Sequence, residues 1–249
     1  MPNLPPLRRF FQPQVPQFFR PTMSSVLSKT LGRANLERPT TGLTAIAYWL
    51  RFAQWCRRYP VSGALKLNKG GREWLYNSVI ERENLNRIPL LYLEFGVYQG
   101  ASMRHWVSEI THCESLFVGF DTFTGLPEHW RSTEPLGHFD AQGQPPNIMD
   151  PRCSFEVGLF QDTLPNFIRR SDLSRRIVIN LDADMFTSTL FVLASLGPFL
   201  KTDDLIFFDE FSCPLDEFRA FEGFVKAFRL NYQVLDAVYG YTRVCIKVC

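Results

Sequence analysis

Several signals that would place a chain in a membrane, on nucleic acid or around a sulfur-bound metal are missing from this sequence. No apolar run approaches the roughly 20 residues that span a bilayer. Arg8-Arg9 near the start is followed by Phe10-Phe11, but Gln12 and Pro13 then break off any apolar stretch, so a secretory signal is not expected. The six cysteines (Cys56, Cys113, Cys153, Cys213, Cys245, Cys249) include no CxxC pair. That spacing argues against a zinc or redox motif, and a disulfide framework is not expected at this length. Reduced thiols in a cytoplasmic protein are the expectation. Charge of one sign is also lacking: 27 Lys and Arg stand against 25 Asp and Glu, a net of +2. Arg8-Arg9, Arg57-Arg58 and Arg169-Arg170 are too short to form a basic stripe, so neither nucleic acid nor a membrane is an expected partner.

What is present suits one α/β domain with an extension. At 249 residues, with 45% hydrophobic and 21% charged side chains, the chain is large enough to bury a sizeable core. Residues 1–40 stand apart as an arm in which Pro2, Pro5, Pro6, Pro13, Pro16 and Pro21 oppose regular helix. Phe10, Phe11, Phe18 and Phe19 make that arm too apolar for a plain linker, so it is expected to pack on the domain or on a second subunit. Residues 41–88 read as a helical extension, with apolar spacing that predicts helix from Leu43 to Arg58 and again from Arg72 to about Glu83.

From residue 89 onwards short apolar runs alternate with helical stretches. Leu90–Phe95, Leu116–Phe120, Ile177–Leu181 and Leu205–Phe208 are short, mainly apolar runs of the kind that form strands buried on both faces, which implies a largely parallel sheet. Helices are predicted at Ser102–Ile110, Thr187–Leu200 and Leu215–Leu230, the last with Phe218, Phe221, Phe224, Val225 and Phe228 on one face. Gln233–Val238 and Thr242–Val248, joined at Tyr239-Gly240, read as a closing antiparallel hairpin.

The chemistry concentrates at predicted strand ends. In the segment 91–102 a strand reaches Glu94, a turn carries Gly96 and Gly100, and a helix begins at Ser102. A dinucleotide fingerprint needs a glycine where Tyr98 stands, and Glu94 would repel a phosphate. An acid at such a turn suits a cationic ligand with an amino group, and S-adenosylmethionine (SAM) is one. Asp121 ends the next strand, where an acid takes ribose hydroxyls in Rossmann-type sites. Asp182 and Asp184 follow one later strand, and Asp209 and Glu210 follow the next. Four acids at the carboxyl ends of neighbouring strands call for a cation between them, and oxygen donors suit Mg²⁺. Helix capping by Asp184 and pairing of the others with arginines remain the alternative.

These pieces together resemble the macrocin and mycinamicin sugar O-methyltransferases and, more distantly, the catechol O-methyltransferases. The resemblance rests on LEFGVYQGAS at 93–102, GFDTFTGLPE at 119–128, VGLFQDTLP at 157–165, LDADMFTST at 181–189 and FFDEF at 207–211, in that order. It implies a Rossmann-like class I methyltransferase fold: a mostly parallel seven-stranded sheet, helices on both faces and a C-terminal antiparallel hairpin. It further implies a SAM-dependent O-methyltransferase acting on a hydroxyl of a sugar-containing or other small-molecule acceptor, assisted by a divalent metal.

By position, Glu94, Gly96, Gly100 and Ser102 fall at the methionine end of SAM, Asp121 at the ribose, and Phe160 and Gln161 at the adenine. Asp182 falls beside the cofactor, and Asp182, Asp209 and Glu210 fall on the metal ligands. Glu210 departs from the family, which carries Asp or Asn there. Met185 stands near where catechol-type enzymes place a lysine, so the proton acceptor is sought among Asp182, Asp184, His129 and His138. His138 lies in the irregular stretch 127–151, which has the length of a lid. Asp182-Ala183-Asp184 also resembles the metal motif of nucleotide-sugar glycosyltransferases, the main alternative. A nicotinamide dehydrogenase and a non-catalytic member of the fold are the others, and the N-terminal arm gives a possible route to a homo-oligomer.

Overall fold

The computed structural model of the chain describes residues 37–61, 71–128 and 135–249. The chain forms two units, 1–46 and 47–249. Of the first, only residues 37–46 are described, all helical. The remainder of the proline-rich arm, together with His129 and Trp130, lies outside the described residues.

Helix α1 runs Glu37–Arg58 and thus begins inside the segment expected to resist helix. Pro39 falls in its first turn, where a missing N–H removes no intrahelical bond. The other elements are α2 (Gly71–Arg82), β1 (Leu90–Phe95), α3 (Ala101–Glu109), β2 (Leu116–Asp121), β3 (Cys153–Val157), α4 (Phe160–Arg170) and β4 (Arg176–Leu181). They continue with α5 (Phe186–Leu196), β5 (Leu205–Phe208), α6 (Glu217–Phe228), β6 (Tyr232–Ala237) and β7 (Val244–Val248). The helix predicted to reach Leu200 stops at Leu196 and tightens into a 3₁₀ turn over Gly197–Phe199, where Pro198 cannot continue the α-helical ladder. No helix of the described residues is long and apolar enough to cross a membrane.

The seven strands form one sheet in the order β3-β2-β1-β4-β5-β7-β6. Strands β1 to β5 pair in parallel, while β7 runs antiparallel to both β5 and β6. This is the Rossmann-like class I methyltransferase architecture. Strand β1 shows why the sheet is covered on both sides. Leu91, Leu93 and Phe95 join Leu164, Phe167, Val192, Leu193, Phe221 and Phe224 on one face. Leu90 and Tyr92 point the other way, into a second core with Leu75, Tyr76, Val79, Met103 and Trp106. Burying each such side chain contributes about 1.5–3 kcal/mol, so both layers are needed to hold β1 in place.

Chain order reverses between β1 and β4: β2 and β3 extend the sheet on one side, β4 and β5 on the other. Such a switch point leaves an open crevice at the carboxyl ends of the central strands.

Candidate functional site

A cavity of about 850 Å³ occupies that crevice, within the size range of small-molecule sites. Its base is the turn after β1. The Gly96 N–H donates to the Phe120 carbonyl at 3.0 Å, and the Asp182 N–H donates to the Phe95 carbonyl at 2.9 Å, so the three strand ends are tied at one level. Gly96 sits at φ 89°, and a Cβ there would overlap the carbonyl oxygen of Asp182. Only glycine fits both demands.

Asp121 holds the rest of the turn. Its Oδ2 accepts the backbone N–H groups of Val97 and Tyr98, each at 2.8 Å, and its Oδ1 accepts that of Phe123 at 2.8 Å. Three of the roughly four lone-pair positions of this carboxylate are therefore taken by backbone. Tyr98, Phe139 and Asp184 line the cavity at φ 49°, 65° and 59°. Non-glycine residues held in this conformation cost about 1–3 kcal/mol each, and such strain gathers at functional sites.

The acids at the ends of β4 and β5 meet two arginines. From the start of α2, Arg72 Nη1 donates to Ser102 Oγ at 2.8 Å and lies 3.0 Å from Asp182 Oδ2. Its Nη2 donates to Asp209 Oδ2 at 2.6 Å. Arg243, just before β7, donates from Nε to Asp209 Oδ1 at 2.5 Å. Burial opposes the Arg72 charge, but Asp182 and Asp209 outweigh it and hold the guanidinium protonated. Burial, followed by the charge of Asp209, pushes the Asp182 carboxyl well above the usual carboxylate range, with Arg72 pulling the other way. Glu217 is buried beneath the same turn, accepts the Glu210 N–H at 2.9 Å and is likewise pushed up by burial.

Of the residues singled out from sequence, Gly96, Ser102, Asp121, Phe160, Gln161, Asp182, Asp184, Asp209 and Glu210 all line the cavity. Glu94 does not. It is 1% exposed on the α2–α3 face of β1 and accepts the Tyr92 hydroxyl at 2.7 Å. Burial raises its carboxyl to about 8, against the opposing effects of the Tyr92 hydrogen bond and Arg72. Gly100 is also off the wall: at φ 76°, its missing Cβ makes room for Pro146 rather than for a ligand. His138 is exposed and is not part of the lining, although its neighbour Phe139 is. Arg72 and Arg243 also line the cavity, and no sequence motif points to either of them.

Residues 71–240 match the macrocin O-methyltransferase (TylF) family. Among solved structures, the calicheamicin methyltransferase CalS11 superposes with a TM-score of 0.54 at 18% identity, covering 81% of this chain and 91% of that one. The O-methyltransferase NovP gives 0.55 at 19% identity, over 70% of this chain and 79% of that one. An apo structure of CalS11, described as a TDP-rhamnose 3'-O-methyltransferase, gives 0.51 at 17% identity, over 81% and 93%. No curated protein sequence matches the chain.

Proposed function

This chain belongs to the macrocin O-methyltransferase family and is a SAM-dependent O-methyltransferase, and from that premise we propose that it methylates a hydroxyl of a sugar-containing or similar small molecule in the cavity at the β1–β4 switch point. The observation that carries the proposal is the convergence of the Gly96 turn, Asp121, Phe160 and the Asp182/Asp209 pair on that one cavity. CalS11, a TDP-rhamnose 3'-O-methyltransferase, supports an acceptor of the nucleotide-sugar class. Family membership leaves the glycosyltransferase alternative without support.

The lining fits a cationic ligand. Asp121, Glu128, Asp182, Asp184, Asp209 and Glu210 face it, against Arg72 and Arg243, so six carboxylates stand against two guanidinium groups among the described residues. When bound, SAM supplies an electrophilic methyl group on its sulfonium. The chain's own residues hold the partners and remove a proton. Leu159, Phe160 and Gln161 offer an apolar shelf with a polar edge for the adenine. Asp121 has one lone-pair position left for a ribose hydroxyl while it fixes the loop 96–98. Alignment of donor and acceptor at one strand edge is the larger contribution to rate. Asp182 is the proton acceptor of choice: it faces the cavity, and a carboxyl raised from its ordinary range is a better match to a general base near neutral pH. Asp184, buried in the same turn, is the second candidate. His138 is set aside because it lies off the lining.

A divalent ion at Asp182, Asp209 and Glu210 does not fit these residues as they stand. The first two carboxylates are already clasped by arginines, and Glu210 Oε2 accepts the Cys213 thiol at 3.3 Å. No group of three or more His, Cys, Asp or Glu among the described residues is placed to hold an ion.

Transfer of label from methyl-labelled SAM to a panel of nucleotide sugars, glycosides and simple phenols tests the proposal. Product with any sugar hydroxyl supports it, and transfer only to phenols or to no member of the panel counts against it. Asp121→Ala is expected to weaken SAM binding by about 1.5–3 kcal/mol, roughly ten- to a hundredfold in Kd. An unchanged Kd in calorimetry would remove Asp121 from the site.

Glu94 adds a pH dependence. With its carboxyl raised to about 8, the group is mostly protonated at neutral pH. A cation in the adjacent cavity favours the charged form, so SAM binding is expected to release a proton and to tighten as pH rises from 6.5 to about 8. The effect on folding has the opposite sense: a raised carboxyl stabilises the fold below its unfolded value, and that contribution is lost as pH climbs towards 8. Calorimetry in buffers of different ionisation enthalpy reads the proton directly, and Glu94→Gln should abolish it. Equal proton release by the variant would assign it elsewhere.

A further inference from the structure

We propose that Arg72 and Arg243 permanently occupy the place of a divalent ion between Asp182 and Asp209, so that this chain transfers its methyl group without a metal. The transfer itself rests on the function proposed above; the assignment of the arginines rests on geometry alone.

The two guanidinium groups face the two carboxylates at ion-pair distance, so with both carboxylates ionised the charges of the cluster balance without a metal. Three of the four carboxylate oxygens are within 3.0 Å of an arginine nitrogen: Asp182 Oδ2 and Asp209 Oδ2 with Arg72, and Asp209 Oδ1 with Arg243. A hard divalent cation needs oxygen ligands at about 2.0–2.6 Å. An ion bridging these oxygens would lie against the same nitrogens, and neither guanidinium can give up its proton to relieve the repulsion. Admitting the ion therefore requires both arginines to leave.

Arg72 is built into its place. One turn further along α2, the Tyr76 hydroxyl donates to Asn180 Oδ1 at 3.0 Å, which anchors the helix to β4 two residues before Asp182. Leu75 and Val79, on the same helix, are buried at 1% and 0% exposure. Ser102 Oγ, itself on a buried residue of α3, takes another Arg72 hydrogen at 2.8 Å. Asp209, with 6% of its side chain exposed, is then gripped from the other side by Arg243. The clasp joins α2, α3, β4, β5 and the start of β7, and it fixes the orientation of Asp182 towards the cavity. Arg72 is in this sense a positioning residue, doing by hydrogen bonding what an ion would do by ligation.

The test is calorimetric titration of Mn²⁺, a stand-in for Mg²⁺, into chelator-stripped full-length protein with SAM present. The wild type should show no saturable binding up to millimolar Mn²⁺. The Arg72→Gln/Arg243→Gln double variant should gain a site at least about tenfold tighter, since a cation lodged a few ångströms from each carboxylate has been removed. Adding Asp182→Asn should abolish the gained site. Micromolar Mn²⁺ binding by the wild type, lost in Asp182→Asn, would overturn the inference. So would a double variant that still binds SAM but gains no Mn²⁺ site. If the double variant does not fold, the wild-type titration decides alone. Failure of the wild type to bind SAM would count against the proposed function, while the Mn²⁺ arm would still decide the role of the arginines.

Discussion

Asp182→Asn should reduce methyl transfer by about 10²–10⁴-fold, the range expected when a general base is removed, while SAM affinity stays within a few fold of wild type. The separation follows from where the residue sits. Asp182 faces the cavity beyond the end of β4 and is reached by Arg72, whereas the turn that would receive the donor is held by Asp121 and by the Gly96 hydrogen bond to Phe120. Asparagine keeps the shape and still accepts from Arg72 through its carbonyl oxygen, and Asp209 keeps its own two arginines. The fold should therefore survive and only the proton acceptor should be lost. Single-turnover rates beside calorimetric Kd values make the distinction. A variant with near-normal rate would move the base to Asp184, and one with normal rate in Asp184→Asn as well would remove both from the chemistry.

Gly96→Ala should be more damaging still, because it strikes stability and binding together. A side chain at φ 89° is strained by about 1–3 kcal/mol, and the new Cβ would overlap a backbone carbonyl that has no freedom to rotate away. Overpacking of this kind adds about another 1–3 kcal/mol. The sum, roughly 4 kcal/mol, corresponds to a fall in Tm of roughly 10 °C for a domain of this size. Relief of the clash must push the turn away from Asp182, which opens the base of the cavity, so SAM binding should fall below detection. Thermal melts and calorimetry check the two halves. A small Tm shift with intact binding would mean that the turn has slack that its hydrogen bonds do not suggest.

Legibility varied with the kind of signal. Leu90–Phe95 and Leu205–Phe208 are readable because strands buried on both faces are mainly apolar without alternation, and both runs are fully buried. Strand β3 was not readable: Cys153–Val157 lies at the sheet edge, none of its residues is fully buried, and its composition carries no apolar run. Helix α4 was hidden by Pro165, which the structure accommodates inside Phe160–Arg170. At the site, acids at strand ends were found by position alone. At Glu94 period-two alternation with Leu93 and Phe95 sends the side chain to the α2–α3 face, where Tyr92 covers it behind the cavity lining. Gly100 carries the same sequence signal as a ligand-contacting turn, because a sequence shows that glycine is needed but not that Pro146 is the neighbour that needs the space. Arg72 and Arg243 could not be found. They come from the helix before β1 and the loop before β7, and only the closed sheet brings them to one carboxylate.

The central claim is that the cavity at the β1–β4 switch point binds SAM, and calorimetric titration of the full-length chain with SAM, with and without Mg²⁺, tests it most directly. Micromolar binding that is lost in Gly96→Ala and indifferent to Mg²⁺ is the predicted result. Absence of binding under both conditions would contradict it.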